Sequence, residues 1–159
     1  HTNTSMVAVM IALDDITPKN GCMQMVCGSY KAGPLNHNDA SGQIHSCQVP
    51  VWEKEGAKIE DVVVPRGGIS IHHCLNVDGS QDNLSDKPRT AVVFEYRADD
   101  AMQLADGVWK DTGMMISGVR QNQVRCEALV ADLPKSERYG EAHPFGHAWN
   151  QVGDIGYLK

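Results

Sequence analysis

The chain has 159 residues, enough for one domain that buries roughly two-thirds of the surface its unfolded form exposes. Hydrophobic residues at 42% and charged residues at 21% are ordinary for a globular protein, and a net charge of −6 argues against a nucleic-acid binder, which needs a basic face. No apolar run approaches the ~20 residues of a membrane-spanning helix, so neither nucleic acid nor membrane is expected as a partner.

Residues 6–13 (MVAVMIAL) are apolar on both faces, as in a buried strand. The following DDITPKNG supplies a turn through Asp15, Pro18, Asn20 and Gly21, and residues 22–27 (CMQMVC) read as the returning strand of a hairpin. Residues 28–42 form a polar excursion too irregular for a regular element; loops of that length are often functional rims. Residues 43–51 and 57–64 read as extended segments, the second ending at the turn Pro65-Arg66-Gly67-Gly68. Two further strands, 69–75 and 90–96, flank a polar loop. Residues 99–104 suit a single helical turn, 119–130 a last strand, and 133–159 are irregular and Gly/Pro-punctuated. Short strands at regular spacing predict one mainly β domain over 1–159, an antiparallel sandwich or jelly roll.

Five cysteines (Cys22, Cys27, Cys47, Cys74, Cys126) form an odd set without CxxC spacing, which favours reduced thiols and a cytoplasmic location. Cys22 and Cys27 are expected in the core, and the seven methionines, among them Met10, Met23, Met25, Met114 and Met115, as flexible packing. His143 and His147 have i, i+4 spacing, but Pro144 and Gly146 oppose the helix that would align them on a metal.

The most informative stretch is HHCLNVDGSQDNLSDKPRTAVVFEY, from His72 to Tyr96. Asp78 precedes its polar loop and Arg89 follows it, eleven positions on, which in neighbouring strands would build a pocket for a metal and an anion. His72 and His73 are adjacent, so in a strand only one of them can look inward.

Two runs carry a resemblance. VAVMIALDDITPKNGCMQMVCGSYKAGPLNH is similar to a strand followed by ALDD, a TPENG-type turn and PGSHK-x-G-x-L-x-H; Asp14, Asp15, Asn20, Gly21, Gly28, Ser29, Lys31, Gly33, Leu35 and His37 fit that pattern. PRGGISIHHCLNVDGSQDNLSDKPR is similar to HHxLxxHGSxxNxSxxPR, with Gly79, Ser80, Asn83, Ser85, Pro88 and Arg89 in order. Both patterns belong to the phytanoyl-CoA dioxygenase family of Fe(II)/2-oxoglutarate-dependent oxygenases, which this chain resembles. The resemblance implies a double-stranded β-helix of the cupin-like jelly-roll type, incomplete at its N-terminus. It also implies Fe(II) and 2-oxoglutarate as cofactors, and hydroxylation of a small organic substrate. Arg89 would bind the far carboxylate of 2-oxoglutarate, for which a planar guanidinium fork is suited. Ser80 would join it, and Met10 would line the co-substrate pocket.

Two departures separate the chain from that pattern. The family's HxD pair lies upstream of the strand at 6–13, before this chain begins, and the family's distal histidine is here Asp78. A carboxylate can still be a hard oxygen ligand for a divalent metal, or it can pair with Arg89 as a structural ion pair. Whether the chain is an enzyme therefore stays open at this point. The alternatives are a non-catalytic jelly-roll fragment or metal-free relative that binds a ligand or partner, and a cupin-like protein with another ligand set. A piece lacking the first strands would expose sheet edges, through which a homodimer is expected.

Overall fold

The computed structural model describes residues 1–38, 40, 47, 49–104 and 113–130. Six strands appear among them: β1 (Met6–Ala12), β2 (Met23–Val26), β3 (Ile59–Asp61), β4 (Ile69–His73), β5 (Asp78–Ser80) and β6 (Ala91–Arg97). They form two antiparallel three-stranded sheets, β4-β1-β6 and β3-β2-β5. The chain changes sheet after β1, β3, β4 and β5, the winding expected of a double-stranded β-helix.

The apolar run at 6–13 becomes β1 because it can pair on both sides. Met10 lies opposite Ser70 of β4 and Val93 of β6, and Ala8 opposite His72 and Glu95. Opposite residues of antiparallel strands share a face, so Ser70 and His72 stand with Met10 on the inner face, while Ile69, Ile71 and His73 stand outside. In the second sheet Met25 lies opposite Asp78 and Met23 opposite Ser80. Between the sheets sits a small core of Met10, Ala12, Ile16, Cys22 and Val64, with Met23, Val62 and Ala91 packed against it.

Several elements differ from the expectation. β2 is not the return of a hairpin: the turn Pro18–Asn20, ended by Gly21 at φ 74°, carries the chain into the other sheet, and Ile16 bridges to Val64 instead. The expected strands at 69–75 and 90–96 do not adjoin each other, since β1 lies between them. The polar stretch between them contains a strand of its own, β5, too short and too polar to show apolar alternation. Residues 51–53 form a 3-10 turn, β3 keeps only three residues of 57–64, and 99–104 and 119–130 hold no helix or strand. Cys22 is buried, but Cys27 is exposed; Met114 is 82% exposed and does not pack. Most of 43–48, the histidines at 143 and 147, and the tail from 131 lie outside the described residues.

Residues 125–127 are tied back to the start of the chain. Asn3, buried, donates to the Asp100 and Arg125 carbonyls, and Glu127 accepts from the Thr4 amide at 3.0 Å and its hydroxyl at 2.7 Å. Arg125 pairs with Asp100 at 3.0 Å and Glu127 at 2.7 Å.

Candidate functional site

His72 of β4 lies near enough to Asp78 of β5 to act on it electrostatically, and Arg89, just before β6, reaches Ser80 of β5. Asp78 and Ser80, two residues apart on β5, share the face of Met25 and Met23 and so look toward the opposite sheet. Arg89 does not stand on a strand adjoining β5, as the sequence suggested; it precedes β6, in the other sheet. Its guanidinium nevertheless reaches across, and Nη1 donates to Ser80 Oγ at 3.3 Å. Its charge also lies near the buried Cys22 thiol: burial raises that thiol's pKa, the nearby Asp61 carboxylate adds to the rise, and Arg89 opposes it. Arg89 as a residue is half-buried.

Asp78 has no ion pair with Arg89, so the structural salt bridge considered from the sequence is not formed. Although the residue keeps an exposed flank, protein atoms crowd its carboxyl and raise the pKa, while His72 and His37 act electrostatically in the opposite direction. Of the adjacent histidines, His72 looks inward. His73 faces out, accepts from the Leu75 amide at 3.1 Å and lies with its ring 6.0 Å from Tyr30. Ser70 Oγ, His72 Nδ1 and Asn76 Oδ1 are buried atoms with no hydrogen-bond partner among the described residues. Met10 is 5% exposed and lies in the core cluster, on the inner face beside Ser70.

The loops that hold these groups are built from the residues of the two sequence runs. Ser29 Oγ accepts from the Val77 amide at 2.8 Å, fixing the chain one residue before Asp78. Asn20 Nδ2 donates to the Pro88 carbonyl at 3.3 Å and Asp14 Oδ2 accepts from the Thr90 amide at 3.0 Å, so the two neighbours of Arg89 are both held. Asn83 braces the intervening loop, donating to the Lys87 carbonyl at 2.8 Å and accepting from the Ser85 amide at 2.9 Å. Sequence reasoning placed Asp14 and Ser29 in the motif without giving them a task, and read Asn20 only as a turn residue. Their signal was residue type alone, since Asp, Asn and Ser are the side chains that bond to nearby backbone in turns.

A family model, Phytanoyl-CoA dioxygenase (PhyH), matches residues 1–91, a span that includes Asp78, Ser80 and Arg89. The chain belongs to the phytanoyl-CoA dioxygenase family. A curated relative, the probable alpha-ketoglutarate-dependent hypophosphite dioxygenase of Stutzerimonas stutzeri, is 31% identical over 124 residues, covering 74% of this chain and 43% of the relative. The chain therefore spans less than half the length of that protein. Among solved structures, the non-heme monooxygenase ThoJ in its apo form superposes with a TM-score of 0.58 at 23% identity, covering 81% of this chain and 44% of ThoJ. The epimerase SnoN in complex with Fe3+, alpha ketoglutarate and nogalamycin RO gives a TM-score of 0.51 at 21% identity, over 63% of this chain and 38% of SnoN. Both likenesses bear on the fold, which is the mainly β jelly roll expected from the sequence.

Membership of the PhyH family implies iron and 2-oxoglutarate, and the residues present fit the two unequally. For the carboxylate of a 2-oxo acid, Arg89 with the Ser80 hydroxyl beside it is a suitable donor set. For iron the set is not complete: no group of three or more His, Cys, Asp or Glu among the described residues is placed to hold a metal ion. Asp78, where the sequence resemblance expects the family's distal histidine, would offer one oxygen donor in place of an imidazole. No helix among the described residues is long and apolar enough to cross a membrane.

Proposed function

We propose that this chain is the co-substrate half of an Fe(II)/2-oxoglutarate-dependent oxygenase, with Arg89 and Ser80 binding the far carboxylate of 2-oxoglutarate and Met10 forming the apolar floor beside them. The observation that carries the reading is the Arg89–Ser80 hydrogen bond, which links the two sheets within the span matched to the family. The charged, planar fork suits a carboxylate, which it can bind through two parallel hydrogen bonds. The buried atoms without partners, Ser70 Oγ and His72 Nδ1 on the inner face and Asn76 Oδ1 in the loop after β4, support a polar small molecule as the further ligand, because buried polar atoms normally find partners. In a protein with the complete metal site, decarboxylation of 2-oxoglutarate would be coupled to hydroxylation of that substrate.

A second reading is favoured by Asp78: a metal-free relative that binds a 2-oxo acid or another carboxylate without oxidising anything. A carboxylate beside a dianionic co-substrate repels it, and the described residues do not complete a ligand set. On either reading we place the chain, 1–159, in one domain. The five unpaired thiols support a cytoplasmic setting, and the strand edges support a homodimer. Titration of Fe(II) and 2-oxoglutarate into the chain, with Asp78→His beside it, separates the two. The oxygenase reading expects 2-oxoglutarate binding in both forms and tighter metal binding in the variant; binding of neither ligand by either form removes it.

A further inference from the structure

Arg89 lies between two residues whose backbone is held from the same preceding segment. On one side Asn20 Nδ2 donates to the Pro88 carbonyl, and on the other Asp14 Oδ2 accepts from the Thr90 amide. The Thr90 carbonyl accepts in turn from the Leu13 amide at 2.9 Å and the Asp14 amide at 3.3 Å. Asn20 is itself fixed: it is buried, donates to the Asp15 carbonyl at 2.7 Å and accepts from the Thr17 amide at 2.7 Å. The Asp14 carboxyl is held below its usual pKa, chiefly by the hydrogen bonds from the Thr90 side chain and amide, so it remains a charged acceptor.

These bonds matter for direction rather than for attachment. A guanidinium sits at the end of a long side chain, and small changes of the backbone angles at its root swing it by ångströms. Pro88 fixes its own φ, Asn20 fixes its carbonyl, and Asp14 with Thr90 fixes the peptide that follows. The backbone on both sides of Arg89 is therefore set by the turn after β1, leaving the side chain to extend toward Ser80. We infer that Asp14 and Asn20 are positioning residues that aim Arg89 at the carboxylate of its ligand. The inference rests on the 2-oxoglutarate reading for the ligand, and on the geometry alone for the aiming.

The test uses Asp14→Ala, with Asp14→Asn as the conservative variant, since an amide oxygen can still accept from Thr90. Affinities for 2-oxoglutarate and for pyruvate, which lacks the far carboxylate, are measured on each. Asp14→Ala is expected to lower the preference for 2-oxoglutarate about tenfold, the order of one misdirected charge-assisted hydrogen bond. Asp14→Asn should restore most of it, and Asp14→Ala should cost nothing further in an Arg89→Ala background. An equal loss for both acids would show a merely structural role and overturn the inference. Should the unsubstituted chain bind no 2-oxoglutarate, the functional reading fails, and the aiming is decided by NMR relaxation of the Arg89 Nε–H group. Its order parameter is expected to fall in Asp14→Ala and recover in Asp14→Asn; an unchanged value overturns the inference. Asn20→Asp keeps the acceptor for Thr17 but sets a carboxylate against the Pro88 carbonyl, and should loosen Arg89 in the same way.

Discussion

At Asp78 a carboxyl is crowded by protein, and burial raises its pKa from the ordinary aspartate value, with His72 and His37 opposing the rise. A folded-state pKa above the unfolded value means that the folded state holds the proton more tightly. Stability is then greatest below the unfolded pKa and falls as pH climbs through the folded one. Asp78→Asn is therefore expected to raise the melting temperature near neutral pH and to leave it unchanged near about pH 3. A gain of the same size at both pH values would show that charge is not the cause. Arg89 was singled out in the sequence because PR follows the GSxxNxS pattern, and its guanidinium donates to the Ser80 hydroxyl of that same pattern. The partner strand was not legible: β5 is three residues long, and nothing in Asp78-Gly79-Ser80 distinguishes a strand from the loop around it. Met10 shows the opposite limit, since an apolar residue on an inner face packs in the core whether or not a ligand lies nearby.

Among the elements, the turn after β1 determines how the two sheets are joined. Gly21 closes it at φ 74°, and a Cβ there would lie 2.5 Å from the Gln81 carbonyl oxygen. Gly21→Ala is expected to destabilise the chain by more than about 1 kcal/mol, adding a left-handed penalty to a clash with the loop that leads to Arg89. Chemical denaturation checks this, and an unchanged midpoint would mean that the loop moves away freely. The clasp between the two ends of the described chain should respond to acid. Glu127 has its pKa lowered, first by the Thr4 hydroxyl and then, against desolvation, by Arg125. A depressed carboxylate stabilises above its unfolded pKa, and that contribution is lost as pH falls through the folded value. Exchange protection of the Thr4 amide, which donates to Glu127, is expected to drop in that acid window and in Glu127→Gln at neutral pH. The sequence announced β1, β4 and β6 through their apolar runs. It misjudged β2 as a hairpin partner, because apolar pattern identifies strands but not which sheet they join.

For the molecule as a whole, the described strands supply three to each sheet, where an eight-stranded jelly roll supplies four. β5 and β6 each pair on one side only among the described residues, and the outer face of the β4-β1-β6 sheet leaves Ile69, Ile71 and Phe94 exposed. Open edges and an apolar face favour association. Sedimentation of the chain is expected to give a dimer at tens of micromolar, and a monomer throughout would count against edge pairing. Fold class and family were open to sequence reading because they rest on turn residues and strand runs spread over most of the chain. The metal question was not, because it turns on which inner-face groups converge in space. The most direct measurement is a calorimetric titration of 2-oxoglutarate into the chain and into Arg89→Ala. Loss of one charge-assisted pairing, worth about 1.5–3 kcal/mol, should weaken binding roughly 10- to 100-fold in the variant. Equal affinity in the two, or no binding by the unsubstituted chain, would contradict the placing of the co-substrate at Arg89.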